Sequence, residues 1–192
     1  MENIMSSPIA AHSTEASSAP ESLQIAVLTI SDTRTHATDS SGQTLVDLLE
    51  ADGHHLAARA IVHDDIWQIR ERLCTWINDS SIQVVLMTGG TGFTPRDITP
   101  QAVAPLLERV VDGFGERFRQ VSLADIGNST MQSRALAGIS NGTLICCLPG
   151  STNACRTAWQ ELLSGQLDSR TRPCNFVPHL RDTRTAACES RG

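Results

Sequence analysis

The chain of 192 residues contains neither lysine nor tyrosine; all 15 of its basic residues are arginine. These absences remove whole chemistries. There can be no P-loop lysine, no Schiff-base lysine and no tyrosine acid or nucleophile. Any phosphate the protein handles must be held by backbone N–H groups, hydroxyls, arginine or a metal ion, and arginine does this with a planar bidentate fork. Six cysteines are present but none falls in a C-x-x-C pair, which argues against a structural zinc site. Basic charge is scarce: 21 acidic residues against 15 basic ones give a formal net charge of −6, a poor match to a nonspecific nucleic-acid surface. No apolar run reaches membrane-spanning length, and the first residues lack a charged segment followed by an apolar one. No membrane partner and a cytoplasmic location are therefore expected.

A hydrophobic content of 40% over this length suits one domain with a substantial core. Residues 1–21, rich in Ser, Ala, Glu and Pro, and residues 181–192 read as disordered tails flanking a domain at 22–180. Inside it, apolar runs at 24–30 and 84–87 read as strands interior to a parallel sheet, and 56–62 and 143–148 read as further strands. Helical patterns occupy 42–51, the segment after Asp65, and about 100–109, 115–123, 130–137 and 153–163. Gly53 suits a helix end, Asp65 a helix cap, and Asn141-Gly142 a turn. Cys146 and Cys147, adjacent in a strand, should point to opposite faces as small core residues, whereas Cys188 lies in the polar tail as a candidate exposed thiol. Strands alternating with helices predict an α/β fold: a three-layer α/β/α sandwich with a largely parallel sheet.

The most informative stretch follows the third strand. Thr88-Gly89-Gly90-Thr91-Gly92 combines glycines, which let a ligand approach the main chain, with threonine hydroxyls, and such a loop suits an oxyanion. An exposed charged pair, Arg96-Asp97, precedes a helix with Thr99 as the expected N-cap and Pro100 at its first position. Parallel strands share one carboxyl edge, where open α/β sheets bind ligands. Four strands end there in Ser31-Asp32-Thr33, Asp64-Asp65, the glycine loop with Asp97, and Pro149-Gly150-Ser151. Carboxylates beside an anion-binding loop would repel a phosphate unless a divalent cation lay between them, so magnesium and phosphoryl or nucleotidyl transfer are implied. Asp64 is the functional candidate, with Asp65 as the cap. His63 reads as incidental to this edge, and His54 and His55 receive no role.

The string T-G-G-T-G-x-x-x-R-D-x-T-P-x-A from Thr88 to Ala102 resembles the signature of the MoaB/MogA family of molybdenum cofactor biosynthesis. Ser31-Asp32, Asp64-Asp65, Gly113-Phe114-Gly115-Glu116, Ser133-Arg134-Ala135 and Pro149-Gly150-Ser151 extend the resemblance, and the Gly-Phe-Gly-Glu and Ser-Arg-Ala stretches favour the MoaB branch. It implies magnesium-assisted adenylylation of molybdopterin by ATP, with release of pyrophosphate. On that pattern Asp64 serves the metal and nucleotide and Asp97 positions the pterin. Thr88, Gly89, Gly90, Thr91 and Gly92 hold phosphate or pterin, Ser31 and Asp32 line the nucleotide end, and Pro149, Gly150 and Ser151 contact the pterin. Self-association as a trimer or hexamer and handover to the pathway's molybdate-inserting enzyme are also implied. Three places depart from the family pattern: His63 stands where proline is usual, Gln101 stands where an acidic residue is common, and Thr-Asn-Ala follows Ser151 where Pro-x-Ala is more frequent. A noncatalytic pterin-binding or assembly paralogue on the same fold is the alternative, and an unrelated nucleotide-binding α/β protein a weaker third.

Overall fold

The computed structural model describes residues 19–182. Most of both expected tails lies outside them, as does Cys188. One sheet of six strands organises this part of the chain: β1 (Gln24–Ile30), β2 (His55–Val62), β3 (Val84–Thr88), β4 (Arg109–Val110), β5 (Leu136–Ser140) and β6 (Thr143–Leu148), in the spatial order β2-β1-β3-β6-β5-β4. The β2, β1, β3 and β6 strands are mutually parallel, while β5 runs antiparallel to both β6 and β4. The β1, β3 and β6 strands were legible as apolar runs because helices cover both their faces, whereas β2, at the sheet edge, is only partly buried and carries Arg59. On one face, Val27, Leu86 and Cys146 pack with α1 (Ser40–Ala51), α4 (Asp112–Ile126) and α5 (Thr152–Ala158). On the other, Leu28, Val85, Met87 and Cys147 pack with α2 (Ile66–Asn78) and the short α3 (Thr99–Val103). The result is the expected three-layer α/β/α arrangement. Cys146 and Cys147 do point to opposite faces; burial pushes both thiols up, Cys146 to about 12, so both are inert packing groups. Among the described residues no helix is long and apolar enough to cross a membrane.

Several expectations are corrected. The segment 130–137 is not a helix: a 3-10 turn at Gly127–Gln132 leads into β5. A strand wins because Asn141 and Gly142, with φ of 46° and 72°, form the primed two-residue turn that pairs β5 with β6. The helix expected over 100–109 ends at Val103 and continues only as a 3-10 turn, Ala104–Leu106, before β4. Thr99 is not the N-cap of α3 but its first residue, and Pro100 its second, because the Thr99 hydroxyl donates instead to the Gly89 carbonyl at 2.9 Å. Beyond α5 the chain passes through a π-helical turn, Trp159–Leu163, to a final helical turn, Ser164–Leu167. Asp65 caps α2 as expected, accepting from the backbone of Trp67 and Gln68. Arg181, counted with the C-terminal tail in the sequence, belongs to the folded body: its backbone N–H donates to the Gly142 carbonyl at 2.8 Å, and its guanidinium donates to the carbonyls of Ile77, Asp79 and Asn141.

His54, given no role above, is buried and accepts the Leu23 N–H on Nδ1 at 3.2 Å. Only a neutral imidazole can accept there. Burial lowers its pKa, against smaller opposing effects of Asp52 and Asp168. A base depressed in the fold stabilises it fully above about pH 6.5, and that contribution is lost as pH falls from there through the folded value. Melting temperature is therefore expected to drop between pH 7.5 and 5.5 by the equivalent of about 1–2 kcal/mol, the cost of leaving a buried N–H unpaired. Scanning calorimetry on the parent and His54→Gln checks this; an equal drop in both would remove His54 as the cause.

Candidate functional site

The in-register parallel strands bring their carboxyl ends to one edge: Thr29 is opposite Thr88, Thr88 opposite Leu148, and Ile30 opposite Val62. A cavity of about 530 Å³ opens there. Ser31, Thr88, Gly89, Gly90, Thr91, Gly92, Asp97, Pro149, Gly150 and Ser151, all named from the sequence, line it. Asp32 and Asp64 do not line this cavity; Asp64 lies against Gly90 of the loop, with Asp32 beside it. An added Cβ on Gly90 would lie 2.8 Å from Asp64 Oδ1, which places that carboxylate against the loop's backbone.

The glycine loop owes its shape to bonds that only a side-chain-free backbone permits. Gly89 has φ of +108° and Gly90 of +62°, the Gly89 N–H donates to the Leu148 carbonyl at 3.0 Å, and the Thr99 N–H donates to the Gly90 carbonyl at 3.0 Å. Thr88, fully buried, donates its hydroxyl to the Pro149 carbonyl at 3.0 Å, tying two of the four loops together. Ser151 lines the cavity and caps α5, accepting the Ala154 N–H at 3.1 Å. The hydroxyl used for the cap keeps a lone pair and a proton for a ligand.

Electrostatically the two aspartates differ. Burial pushes the Asp64 carboxyl up, and the neighbouring Asp32 and Asp97 add to this against Arg96 and His63. Its Oδ1 is buried with no hydrogen-bond partner. Asp32 is engaged on several sides: it accepts the Asp64 N–H at 3.3 Å, is ion-paired with Arg96, and lies 3.4 Å from His63 Nδ1. Asp97, by contrast, is held below its ordinary value: burial raises it, but hydrogen bonds from the Thr94 hydroxyl and backbone and from the Gly92 backbone, with the charge of Arg134, outweigh that. Thr94 N–H and hydroxyl reach Asp97 Oδ2 at 2.8 and 2.6 Å, so Asp97 spends one oxygen on its own turn.

Sequence reasoning missed two parts of the site. The wall opposite the loops comes from α4 and the 3-10 turn after it, through Phe118, Ser122, Asp125, Ile126 and Gln132. The second omission lies under the loop that follows β1. Buried Asp39 caps α1 through the Gly42 N–H and accepts from Thr29 at 2.8 Å and Arg59 at 3.0 Å; burial raises its carboxyl, but these bonds hold it below the usual range. Asp39 followed three residues later by a helical glycine was a readable capping signal, while Arg59 on β2 gave none.

A model of the "Probable molybdopterin binding domain" matches residues 26–169. Molybdenum cofactor biosynthesis protein B of Escherichia coli strain K12 is 52% identical over 158 residues, 82% of this chain and 93% of that protein. Among solved structures, a molybdenum cofactor biosynthesis protein B superposes with a TM-score of 0.76 at 42% identity, covering 78% of this chain and 94% of the other. The tungsten cofactor synthesizing protein MoaB of Pyrococcus furiosus gives a TM-score of 0.67 at 36% identity, covering 76% and 93%. With its sheet edge, its glycine loop and its matched residues 26–169, the chain belongs to the MoaB/MogA family of molybdopterin-binding, molybdenum cofactor biosynthesis proteins.

Proposed function

We propose that the protein adenylylates molybdopterin. The terminal phosphate oxygen of the pterin attacks the α-phosphorus of ATP; the new P–O bond forms as the bond to the bridging oxygen breaks, and pyrophosphate leaves. The carrying observation is the unpartnered, buried Oδ1 of Asp64, pressed against the glycine loop that borders the cavity. A buried carboxylate oxygen without a partner costs free energy, and a divalent cation relieves it.

The residues present fit magnesium. Among the described residues no group of three or more His, Cys, Asp or Glu side chains is arranged to hold a metal. Magnesium seldom uses such a cage; one or two carboxylates and substrate phosphates suffice, and Asp64 with Asp32 beside it would supply the protein share. When bound, the ion would neutralise charge on the phosphates. The chain's own part is positioning. With the Thr88 hydroxyl, the Gly89 N–H and the Gly92 N–H committed to Pro149, Leu148 and Asp97, Gly90 and Thr91 are the loop residues left to receive phosphate or pterin. Ser31 and Arg34 flank the nucleotide end of the cavity, and Asp97 fixes the turn against which the pterin rests. With Arg34 the one arginine lining the cavity among the described residues, the ligands' negative charge falls mainly to dipoles and to the cation. Self-association as a trimer or hexamer, and delivery of product to a molybdate-inserting enzyme, belong to the same proposal.

Purified protein mixed with molybdopterin, ATP and magnesium is expected to yield pyrophosphate and adenylylated pterin in equal amounts. Omission of magnesium should abolish both. Tight pterin binding without pyrophosphate would favour the noncatalytic paralogue, and no pterin binding would remove both readings.

A further inference from the structure

Arg134 enters the site from the segment between the 3-10 turn and β5, a region with no assigned chemistry. That segment is firmly anchored. An added Cβ on Gly115 of α4 would lie 2.5 Å from the Ala135 carbonyl, and Arg119 of the same helix donates to the Ser133 carbonyl at 3.3 Å. From this base Arg134 grips the glycine loop at three backbone carbonyls. Its N–H donates to Thr91 O at 3.1 Å, its Nε to Gly92 O at 2.7 Å, and its Nη2 to Asp97 O. The guanidinium carbon lies 5.5 Å from the centre of the Phe93 ring, so the aromatic face packs over the fork.

The geometry has a directional consequence. In a trans peptide the carbonyl and the following N–H point opposite ways. Turning the Thr91 carbonyl toward Arg134 therefore turns the Gly92 N–H away from it, and that N–H bonds the Asp97 carboxylate. The main chain at Arg134 thus orients the peptide that donates to Asp97, and the guanidinium holds the backbone on either side of the turn, at Gly92 and at Asp97 itself. The guanidinium also directs two carbonyl oxygens, those of Gly92 and Asp97, at a cation, leaving them unavailable to face an anionic ligand. We propose that the Arg134 guanidinium is the positioning group of the substrate loop, setting the backbone at Gly92 and Asp97, and with it the Asp97 carboxylate, for molybdopterin; the ligand's identity rests on the function proposed above. Lysine cannot replace it. An ammonium on a flexible stem lacks the planar fork needed to span Gly92 O and Asp97 O together.

The test uses Arg134→Lys and Arg134→Gln in the full chain, with amide hydrogen exchange, molybdopterin affinity and steady-state kinetics. Both variants are expected to exchange faster across residues 89–97 with the sheet's protection unchanged. Affinity for molybdopterin should fall on the order of tenfold, about one charge-assisted hydrogen bond. KM for molybdopterin should rise while KM for ATP holds. Parent-like exchange in the loop, or a lowered melting temperature with affinity and both KM values intact, would overturn the proposal and leave Arg134 a purely structural anchor. If the parent protein binds molybdopterin but does not turn over, adenylylation fails while affinity and exchange still decide the role of Arg134. If the parent binds no molybdopterin, the pterin assignment falls, and exchange across residues 89–97 alone decides whether Arg134 sets the loop.

Discussion

Asp64→Asn is expected to cut adenylylation by a hundredfold or more while raising the melting temperature of the free protein at neutral pH. The loss is of the order seen when one preorganised group facing a transferring phosphoryl is removed, about 10²–10³ in turnover. The gain in stability follows from the same environment. Burial and Asp32 push the Asp64 carboxyl up, so at neutral pH the fold carries an ionised group it disfavours. A carboxylate raised in the fold destabilises it above the folded value, and that penalty disappears as pH falls toward about 4. Asparagine removes the charge while nearly keeping size, so its advantage should be largest near pH 7 and vanish in acid. Magnesium with ATP should stabilise the parent by mass action and the variant far less. Thermal melts across pH, with and without magnesium and ATP, measure both effects, and pyrophosphate release measures the first. Near-parental turnover would end the assignment of Asp64; an unchanged melting temperature would end the account of its strain. Asp97→Asn should behave differently. Its Oδ2 already accepts two bonds from Thr94, so the amide oxygen can retain the turn in part, and the defect should fall on pterin placement.

That both aspartates stand at one sheet edge was readable in the chain, whereas the division of roles between them is what the family resemblance implies. Asp64 ends an apolar strand and Asp97 follows a glycine loop, so period and punctuation place both at one sheet edge before any coordinates are seen. The interior parallel strands β1, β3 and β6 were legible because burial on both faces leaves an apolar run, as in Val84 to Met87. What stayed hidden was the antiparallel flank. β4 has only two residues, both exposed, and β5 contains Gly138, whose missing side chain lets β4 approach; an added Cβ there would lie 2.7 Å from the Arg109 carbonyl. Glycine lowers strand propensity, so local preference and tertiary fit pointed opposite ways and tertiary fit won. Once that flank is misread as helix, Arg134 cannot be placed, although its motif was visible. Asp39 and Arg59 illustrate a different limit. Their pairing joins residues twenty apart, the cap of α1 and a position on β2, and no periodicity encodes such a contact.

Gly89→Ala should be the most damaging single change in the loop, and Gly113→Ala its informative opposite. At Gly89 the backbone has φ of +108°, a region that residues with a Cβ avoid, and an added methyl would lie 2.2 Å from the Ile30 carbonyl oxygen. That neighbour is backbone of the central strand β1 and cannot swing aside. Torsional strain and overpacking each cost about 1–3 kcal/mol, so a loss on the order of 3 kcal/mol or more is expected. For a domain of this size that corresponds to roughly 10 °C in melting temperature. The damage should not stop at stability. Moving Gly89 to relieve the clash also moves the carbonyl that accepts the Thr99 hydroxyl and the N–H bonded to Leu148, and with them the loop bordering Asp64. Turnover should therefore fall at least as far as in Asp64→Asn, even well below the lowered melting temperature. At Gly113, in the first turn of α4, nothing lies within 4 Å of an added Cβ and φ is ordinary, so alanine should stabilise by about 0.5–1 kcal/mol and leave turnover unchanged. Thermal melts and pyrophosphate release on the pair measure the contrast. A Gly89→Ala protein that melts within a degree or two of the parent would show that the loop can relax, and the requirement for glycine at this approach would be withdrawn.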